Sequence, residues 1–356
     1  MNHPARRARR ASSPEKGGVM RAVVMREHGG LEKLVLEADF PTPEAGPGEV
    51  LLRVRGASLN YHDVFTRRGM PGIKIPMPLV IALDVAGEIV ALGEGVSGWS
   101  VGDRVLVDPI NRVEGGLMGE TQNGGLAEYC VCKAHQLFRI PDGIGFEQAA
   151  ALPVAYGTAY RMMVTRGQVK AGEKVLILGA SGGVGVCCVQ LANLAGAYVI
   201  ACAGSREKGQ RLLDIGADEI IYYQEEDFLK AVQERHGKAS RRRSQKGGGV
   251  DVVVNFTGGE TWVKSLRTLR LGGRQLTCGA TAGFSPPEDL RYIWTFELDI
   301  KGSNGWEPED VTTLLELVGS GKLKAIVDKT YALEEAAEAL RVIEDREVIG
   351  KVVVAP

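Results

Sequence analysis

Between positions 174 and 195, the apolar run Lys174-Val-Leu-Ile-Leu178 enters the glycine-rich turn Gly179-Ala-Ser-Gly-Gly-Val-Gly185, and a second apolar stretch follows. Such a strand, turn and helix can hold a pyrophosphate. Gly182 and Gly183 put no side chain between the backbone and a bound phosphate, Gly185 lets the helix approach the strand, and the first N–H groups of the helix point at the anion. Ala180, Ser181, Gly182, Gly183, Val184 and Gly185 are therefore expected to seat a dinucleotide. Ala180 stands where the strict G-x-G-x-x-G pattern has its first glycine, so an ordinary tight turn is the competing reading.

The next strand identifies which dinucleotide to expect. Sites that prefer NAD place an acid at the end of the second strand, against the ribose 2′-hydroxyl. Here Tyr198-Val-Ile-Ala-Cys-Ala-Gly204 ends without one and runs into Ser205-Arg206-Glu207-Lys208. A hydroxyl and cations from Ser205, Arg206 and Lys208 suit the extra phosphate of NADPH, with Tyr223 closing over it. The plain alternative for Lys208 is a solvated lysine on a helix face.

These residues need a scaffold. From Met20 to about position 145 the chain shows short β runs, among them 21–25, 50–54, 89–92, 104–107 and 127–131, separated by turn residues. This predicts an antiparallel, barrel-like β domain with a helix starting within 60–69. From about 146 strands and helices alternate. Strands are expected at 174–178, 198–202, 219–223, 251–256 and 275–278, with helices at 147–163, 185–195, 206–216, 226–235 and 260–269. That alternation gives an α/β, doubly wound parallel sheet. Phe256, Thr257, Gly279, Ala280 and Thr281 then fall at the carboxyl edge of the sheet, where such folds bind ligands. A helix at 310–319, a β run at 328–332, a helix at 333–344 and a strand at 351–354 are expected to return to the β domain.

Composition narrows the class. The apolar and charged fractions, 44% and 24%, are those of a soluble globular protein. No apolar run approaches the ~20 residues that span a membrane. Six cysteines in apolar contexts suggest reduced, buried thiols and a cytoplasmic location. Positive charge is concentrated in residues 1–19, read as a disordered basic extension, and in 237–249, read as a solvated loop; the remainder is acidic. A nucleic-acid partner is therefore not expected.

Several further segments, in this order and spacing, resemble the medium-chain dehydrogenase/reductase superfamily, and within it the zinc-independent quinone oxidoreductases. They are Leu59-Asn-Tyr-His-Asp63, Asp84-Val-Ala-Gly-Glu-Ile-Val90, Gly102-Asp-Arg-Val105, Gly124-Gly-Leu-Ala-Glu-Tyr129, Gly157-Thr-Ala-Tyr160, the glycine turn and Gly350-Lys-Val-Val353. The resemblance implies a GroES-like β-barrel catalytic domain (20–145 and 305–356) and a Rossmann NADPH-binding domain (146–304). It also implies a homodimer paired through the last strand of the sheet, near 298–302. Zinc-dependent relatives take ligands at the positions of Asn60 and of Leu83-Asp84, and leucine cannot ligate zinc. The residues between 108 and 124 include none of the cysteines of a structural zinc lobe. No metal is expected, although one rebuilt on His62 and Asp63 is the alternative.

A site without zinc is poorly placed to hold an alkoxide. It suits hydride transfer to an acceptor whose own carbonyl spreads the charge, a quinone or a related conjugated carbonyl compound. The resemblance places Asn60 and Thr158 beside the nicotinamide, with Asn60 as an orienting or oxyanion-side donor. A helix-capping asparagine is the alternative for Asn60. Phe65 stands where relatives carry a tyrosine, which leaves Tyr61 or His62 as candidate proton donors. An enoyl or 2-alkenal reductase is the nearest rival function, and the resemblance also leaves a zinc-type alcohol dehydrogenase as an alternative. From another class, a low-turnover NADPH-binding sensor or RNA-associated protein is the rival. The loops at 67–76 and 108–123 are expected to shape the substrate pocket.

Overall fold

The computed structural model describes residue 14 and residues 17–70, 72–241 and 247–356. The basic extension therefore lies almost wholly outside the described residues, as do 242–246 of the second basic stretch. The chain divides into two compact units. One holds the residues up to Ala150 with Thr330–Arg341 and Val353–Pro356; the other holds Ala151–Lys329 and Val342–Val352.

The first unit is antiparallel β structure. Its strands are β1 (Val19–Met25), β2 (Val35–Pro41), β3 (Glu49–Leu59), β4 (Leu79–Val80), β5 (Asp84–Leu92), β6 (Arg104–Val107), β7 (Tyr129–Lys133) and β8 (Leu137–Arg139). β1 pairs with β2 and β4. β3 pairs with β5 and β7, β5 continues to β6, and β6 to β8. The expected runs at 50–54 and 89–92 are only parts of β3 and β5. Both strands are buried almost throughout, so their inner halves carry no in-out alternation to read. Between β3 and β4 lies helix α1 (Tyr61–Arg68).

The second unit is a six-stranded parallel sheet built from β9 (Lys174–Ile177), β10 (Tyr198–Ala203), β11 (Glu219–Tyr222), β12 (Val250–Val254), β13 (Leu269–Thr277) and β14 (Asp299–Gly302). Their spatial order is β11-β10-β9-β12-β13-β14. This is the dinucleotide-binding order, in which the chain reverses direction across the sheet beside β9. The helices α4 (Gly183–Leu194), α5 (Arg206–Asp214), α6 (Phe228–His236) and α7 (Thr261–Leu266) make the crossovers. β13 starts six residues before the expected 275, because Gly272 and Gly273 sit inside an irregular register rather than before the strand.

The single helix expected at 147–163 is not continuous. α2 (Phe146–Ala150) gives way to wide π-helical turns at Leu152–Gly157 and Arg161–Arg166, on either side of the short α3 (Thr158–Tyr160). Pro153 supplies no N–H to the α ladder, and π turns of this kind cluster at functional sites.

The second unit is tied together beneath those turns by Tyr156, which is fully buried. Its hydroxyl donates to the Lys324 carbonyl (3.0 Å) and accepts from the Ile326 N–H (2.8 Å). Gln190 bonds both backbone groups of Lys324. Tyr156→Phe leaves the Ile326 N–H without its acceptor, and should cost about 1–3 kcal/mol in urea unfolding. An unchanged midpoint would show that the hydroxyl contributes nothing.

Candidate active site

The glycine turn leads directly from β9 into α4. Gly182 is the residue before α4, and its N–H donates to the Gly179 carbonyl (3.1 Å). A Cβ on Gly185 would lie 2.2 Å from the Gly179 oxygen and 2.6 Å from Ala180 backbone atoms, so only glycine fits. A Cβ on Gly182 would meet only that oxygen, at 3.6 Å. The space over Gly182 is therefore open to a ligand, and the turn fits a dinucleotide phosphate. Gly179 has φ +66°, and supplies the left-handed residue of the turn one place before Ala180. That explains why Ala180 is tolerated there: it is fully buried under the turn. Ser181 accepts from the Gly350 N–H through its carbonyl (2.8 Å), and Val184 lies half-buried in the first turn of α4.

At the end of β10, Ser205 caps α5, its Oγ accepting from the Lys208 N–H (3.2 Å). Tyr223 is half-exposed, and its hydroxyl lies 2.5 Å from where a Cβ on Gly204 would be. Lys208 Nζ donates to the Arg346 carbonyl (2.6 Å), which brings Arg346 to the same corner, a neighbour that sequence reading did not supply. Desolvation pulls the Lys208 ammonium below the ordinary lysine range, while Asp328, Glu207 and Glu347 act in the opposite sense. Arg206 is a correction. Its guanidinium lies 4.0 Å over the Tyr222 ring and is paired with Glu225, so it does not join Lys208 and Tyr223.

The loops after β12 and β13 are joined. Thr281 N–H donates to the Phe256 carbonyl (3.3 Å) and Ala282 N–H to that of Thr257 (2.7 Å). Asn255, fully buried, organises the first loop. Its Oδ1 accepts from the Thr257 and Gly258 N–H groups, and its Nδ2 donates to Thr261 and Ser265. Beside these loops is a cleft of about 490 Å³, lined by Gly279, Ala280, Cys278, Trp262, Phe284 and Ser303 among others. Thr158, half-buried, sits between the two π turns. The thiols of Cys187 and Cys188 are pushed well above the ordinary value by burial, and Cys278 to about 12, so none is an activated nucleophile.

In the β unit the candidate residues surround the start of α1. Asn60 is 8% exposed and precedes the helix, in a capping box with Asp63. Its Nδ2 donates to Asp84 Oδ2 (2.9 Å), with a long contact to the Ser58 carbonyl (3.5 Å). Asp63 is fully buried. Its Oδ2 accepts from the Asn60 N–H (2.7 Å) and its Oδ1 from the Ala82 N–H (3.0 Å). His62 Nε2 lies 2.7 Å from Glu120 Oε2. The Tyr61 ring packs edge-on against Phe65, at 5.1 Å.

Glu120 is thus the residue that sequence reading missed, while Asp63 and Asp84, read there only at metal positions, act here as hydrogen-bond acceptors. Leu83 is buried, and among the described residues no group of three His, Cys, Asp or Glu is placed to hold a metal ion. Asp63, the other member of the alternative metal site with His62, accepts a backbone N–H at each carboxylate oxygen.

Comparison with known proteins agrees with this architecture. Residues 46–142 match the alcohol dehydrogenase GroES-like domain, and residues 183–320 match the zinc-binding dehydrogenase family. The chain is 33% identical to crotonyl-CoA reductase of Streptomyces avermitilis, covering 85% of this chain and 77% of that one. It is 30% identical to quinone oxidoreductase of Homo sapiens, over 90% and 93%. A crystal structure of an NAD-dependent alcohol dehydrogenase superposes with TM-score 0.86 at 37% identity, over 95% and 100%. The 2-octenoyl-CoA carboxylase reductase CinF, solved with NADP and 2-octenoyl-CoA, does so with TM-score 0.82 at 29% identity, over 96% and 88%. The chain belongs to the medium-chain dehydrogenase/reductase superfamily, as an oxidoreductase with a GroES-like domain and a parallel-sheet Rossmann domain.

Gly185→Ala forces the start of α4 away from the strand. It should destabilise the chain by about 1–3 kcal/mol and weaken dinucleotide binding, read by urea unfolding and by titration of cofactor fluorescence. Wild-type binding in G185A would remove the turn from the cofactor site.

Proposed function

We propose that the chain is an NADPH-dependent, metal-independent reductase that delivers a hydride to a conjugated carbonyl acceptor, a quinone in the first instance. The observation that carries this reading is the trio of Asn60, Leu83 and Asp84. Where zinc-dependent relatives place metal ligands, this chain has an amide, an alkyl group and a carboxylate, and the amide is hydrogen-bonded to the carboxylate. A leucine has no lone pair to offer a metal. What the bound cofactor supplies is the hydride. The protein's part is to orient the acceptor and stabilise the charge that develops on its oxygen, with Asn60 as the candidate amide donor. His62, at 31% side-chain exposure, is the candidate proton donor.

The choice of NADPH rests on the corner of Ser205, Lys208 and Tyr223, where β10 ends without a carboxylate. Ala180 to Gly185 would hold the pyrophosphate, while Thr158, Phe256, Thr257, Gly279, Ala280 and Thr281 would line the nicotinamide end. An enoyl-thioester acceptor is the second reading, favoured by the likeness to crotonyl-CoA reductase and to CinF. No helix among the described residues is long and apolar enough to cross a membrane.

A homodimer through β14 completes the reading. β14 ends the sheet, and Ile300 on it is exposed, as are Phe284, Leu290 and Trp294. Antiparallel pairing of two copies about Ile300 would set Asp299 opposite Lys301 of the second copy, which suits a twofold interface.

The test is oxidation of NADPH and NADH against quinones, 2-enals and enoyl thioesters, with metal content measured on the same sample. Turnover with NADPH and a conjugated acceptor at substoichiometric zinc is expected. Lys208→Ala should weaken NADPH binding by about ten- to a hundredfold, the loss of one charged hydrogen bond, and leave NADH nearly unchanged. Stoichiometric zinc with NAD-dependent alcohol oxidation would overturn the proposal.

A further inference from the structure

His62 sits in the first turn of α1, and its partner Glu120 comes from the loop between β6 and β7, 58 residues away in sequence. Glu120 is only 7% exposed. Its loop is held on all sides. The Leu117 carbonyl accepts from the N–H groups of Glu120 (3.2 Å), Thr121 (2.9 Å) and Gln122 (3.2 Å), and the Thr121 hydroxyl accepts from the Leu117 N–H (2.7 Å). Met118 is 1% exposed. Gly119, at φ +70°, lies so close to Ala82 that a Cβ would be 2.8 Å from its backbone. The Ala82 N–H is in turn held by Asp63. The loop and the first turn of α1 therefore share one anchor, and the carboxylate reaches the imidazole from a fixed place.

An ionised carboxylate only accepts hydrogen bonds, so the ring nitrogen facing it must carry the proton. We infer that Glu120 is a positioning residue that fixes His62 as the Nε2–H tautomer and makes Nδ1 the nitrogen that exchanges protons with the substrate. Its catalytic consequence rests on the reduction proposed above; the tautomer does not. In that reaction the hydride adds to the acceptor, and the electron pair released onto the acceptor's carbonyl oxygen makes an enolate or hydroquinone anion. The doubly protonated ring gives up the Nδ1 proton to that anion. The N–H bond's electron pair stays on Nδ1, and the neutral Nε2–H ring is then reprotonated from water. Asp63, the neighbouring acid on α1, is occupied by the Asn60 and Ala82 N–H groups and does not compete for the ring.

The test uses the full chain labelled with ¹⁵N-histidine, observed by long-range ¹H–¹⁵N NMR at slightly alkaline pH, above the unperturbed imidazole pKa of about 6.5. His62→Gln assigns the signal. The expected wild-type ring has a pyrrole-type Nε2 and a pyridine-type Nδ1. In Glu120→Gln the amide can present either a donor or an acceptor, so the ring should shift toward a mixture of tautomers. Turnover with the conjugated acceptor should fall about ten- to a hundredfold in kcat at unchanged KM, part of the usual contribution of a general acid. A pyridine-type Nε2 in the wild type, or an E120Q ring with unchanged tautomer ratio, overturns the inference whatever the turnover. Should E120Q not fold, the wild-type spectrum alone decides the tautomer. If the tautomer shifts as expected but His62→Gln turns over at the wild-type rate, proton delivery through His62 is overturned.

Discussion

The candidate site in the β unit depends on one buried carboxylate, Asp63. Taking a charge out of water is tolerable only where hydrogen bonds replace the lost hydration, and Asp63 finds two in the N–H groups of Asn60 and Ala82. The first bond starts α1 and fixes the direction in which Asn60 and His62 leave the backbone. The second holds Ala82 at φ +79°, a conformation rare for a residue with a Cβ. Gly119 and Gly124 can approach the Ala82 backbone only because they have no side chains, since a Cβ on either would come within 2.8 Å of it. Asn60, His62 and Glu120 are thereby placed by one electrostatic anchor and two missing side chains.

The glycine turn is shaped by a different constraint, and that shape was readable from sequence because the constraint at Gly185 is local. Strand, turn and helix are consecutive, and Gly185 answers to neighbours within six residues, Gly179 and Ala180. The parallel order of the sheet followed from the alternation of strand and helix. The apparent flaw at Ala180 was a matter of register: the left-handed residue is Gly179, so the fingerprint's first glycine was present one place earlier.

What stayed hidden in the sequence depends on partners distant along the chain. Asn60 reads equally well as a cap or as a donor, and only Asp84, 24 residues on, shows where its amide goes. Arg206 reads as a phosphate ligand from its place after Ser205, yet Tyr222 and Glu225 take its guanidinium from the next β-α unit. The helix expected at 147–163 has the right apolar spacing, but periodicity cannot distinguish an α ladder from π turns interrupted by Pro153. The His62–Glu120 pair left no local signal at all.

The residues at the zinc positions make most sense as a set. Asp84 is fully buried, and a carboxylate left there without hydrogen bonds in place of its hydration would be costly. Instead the Asn60 amide donates to Asp84, and Leu83 adds buried apolar surface rather than an unused ligand. The Asn60–Asp84 bond gives this part of the β unit a polarity that is fixed before any substrate arrives. That is the condition under which a single oriented donor contributes most to stabilising a developing oxyanion, since no solvent dipoles must reorganise around it.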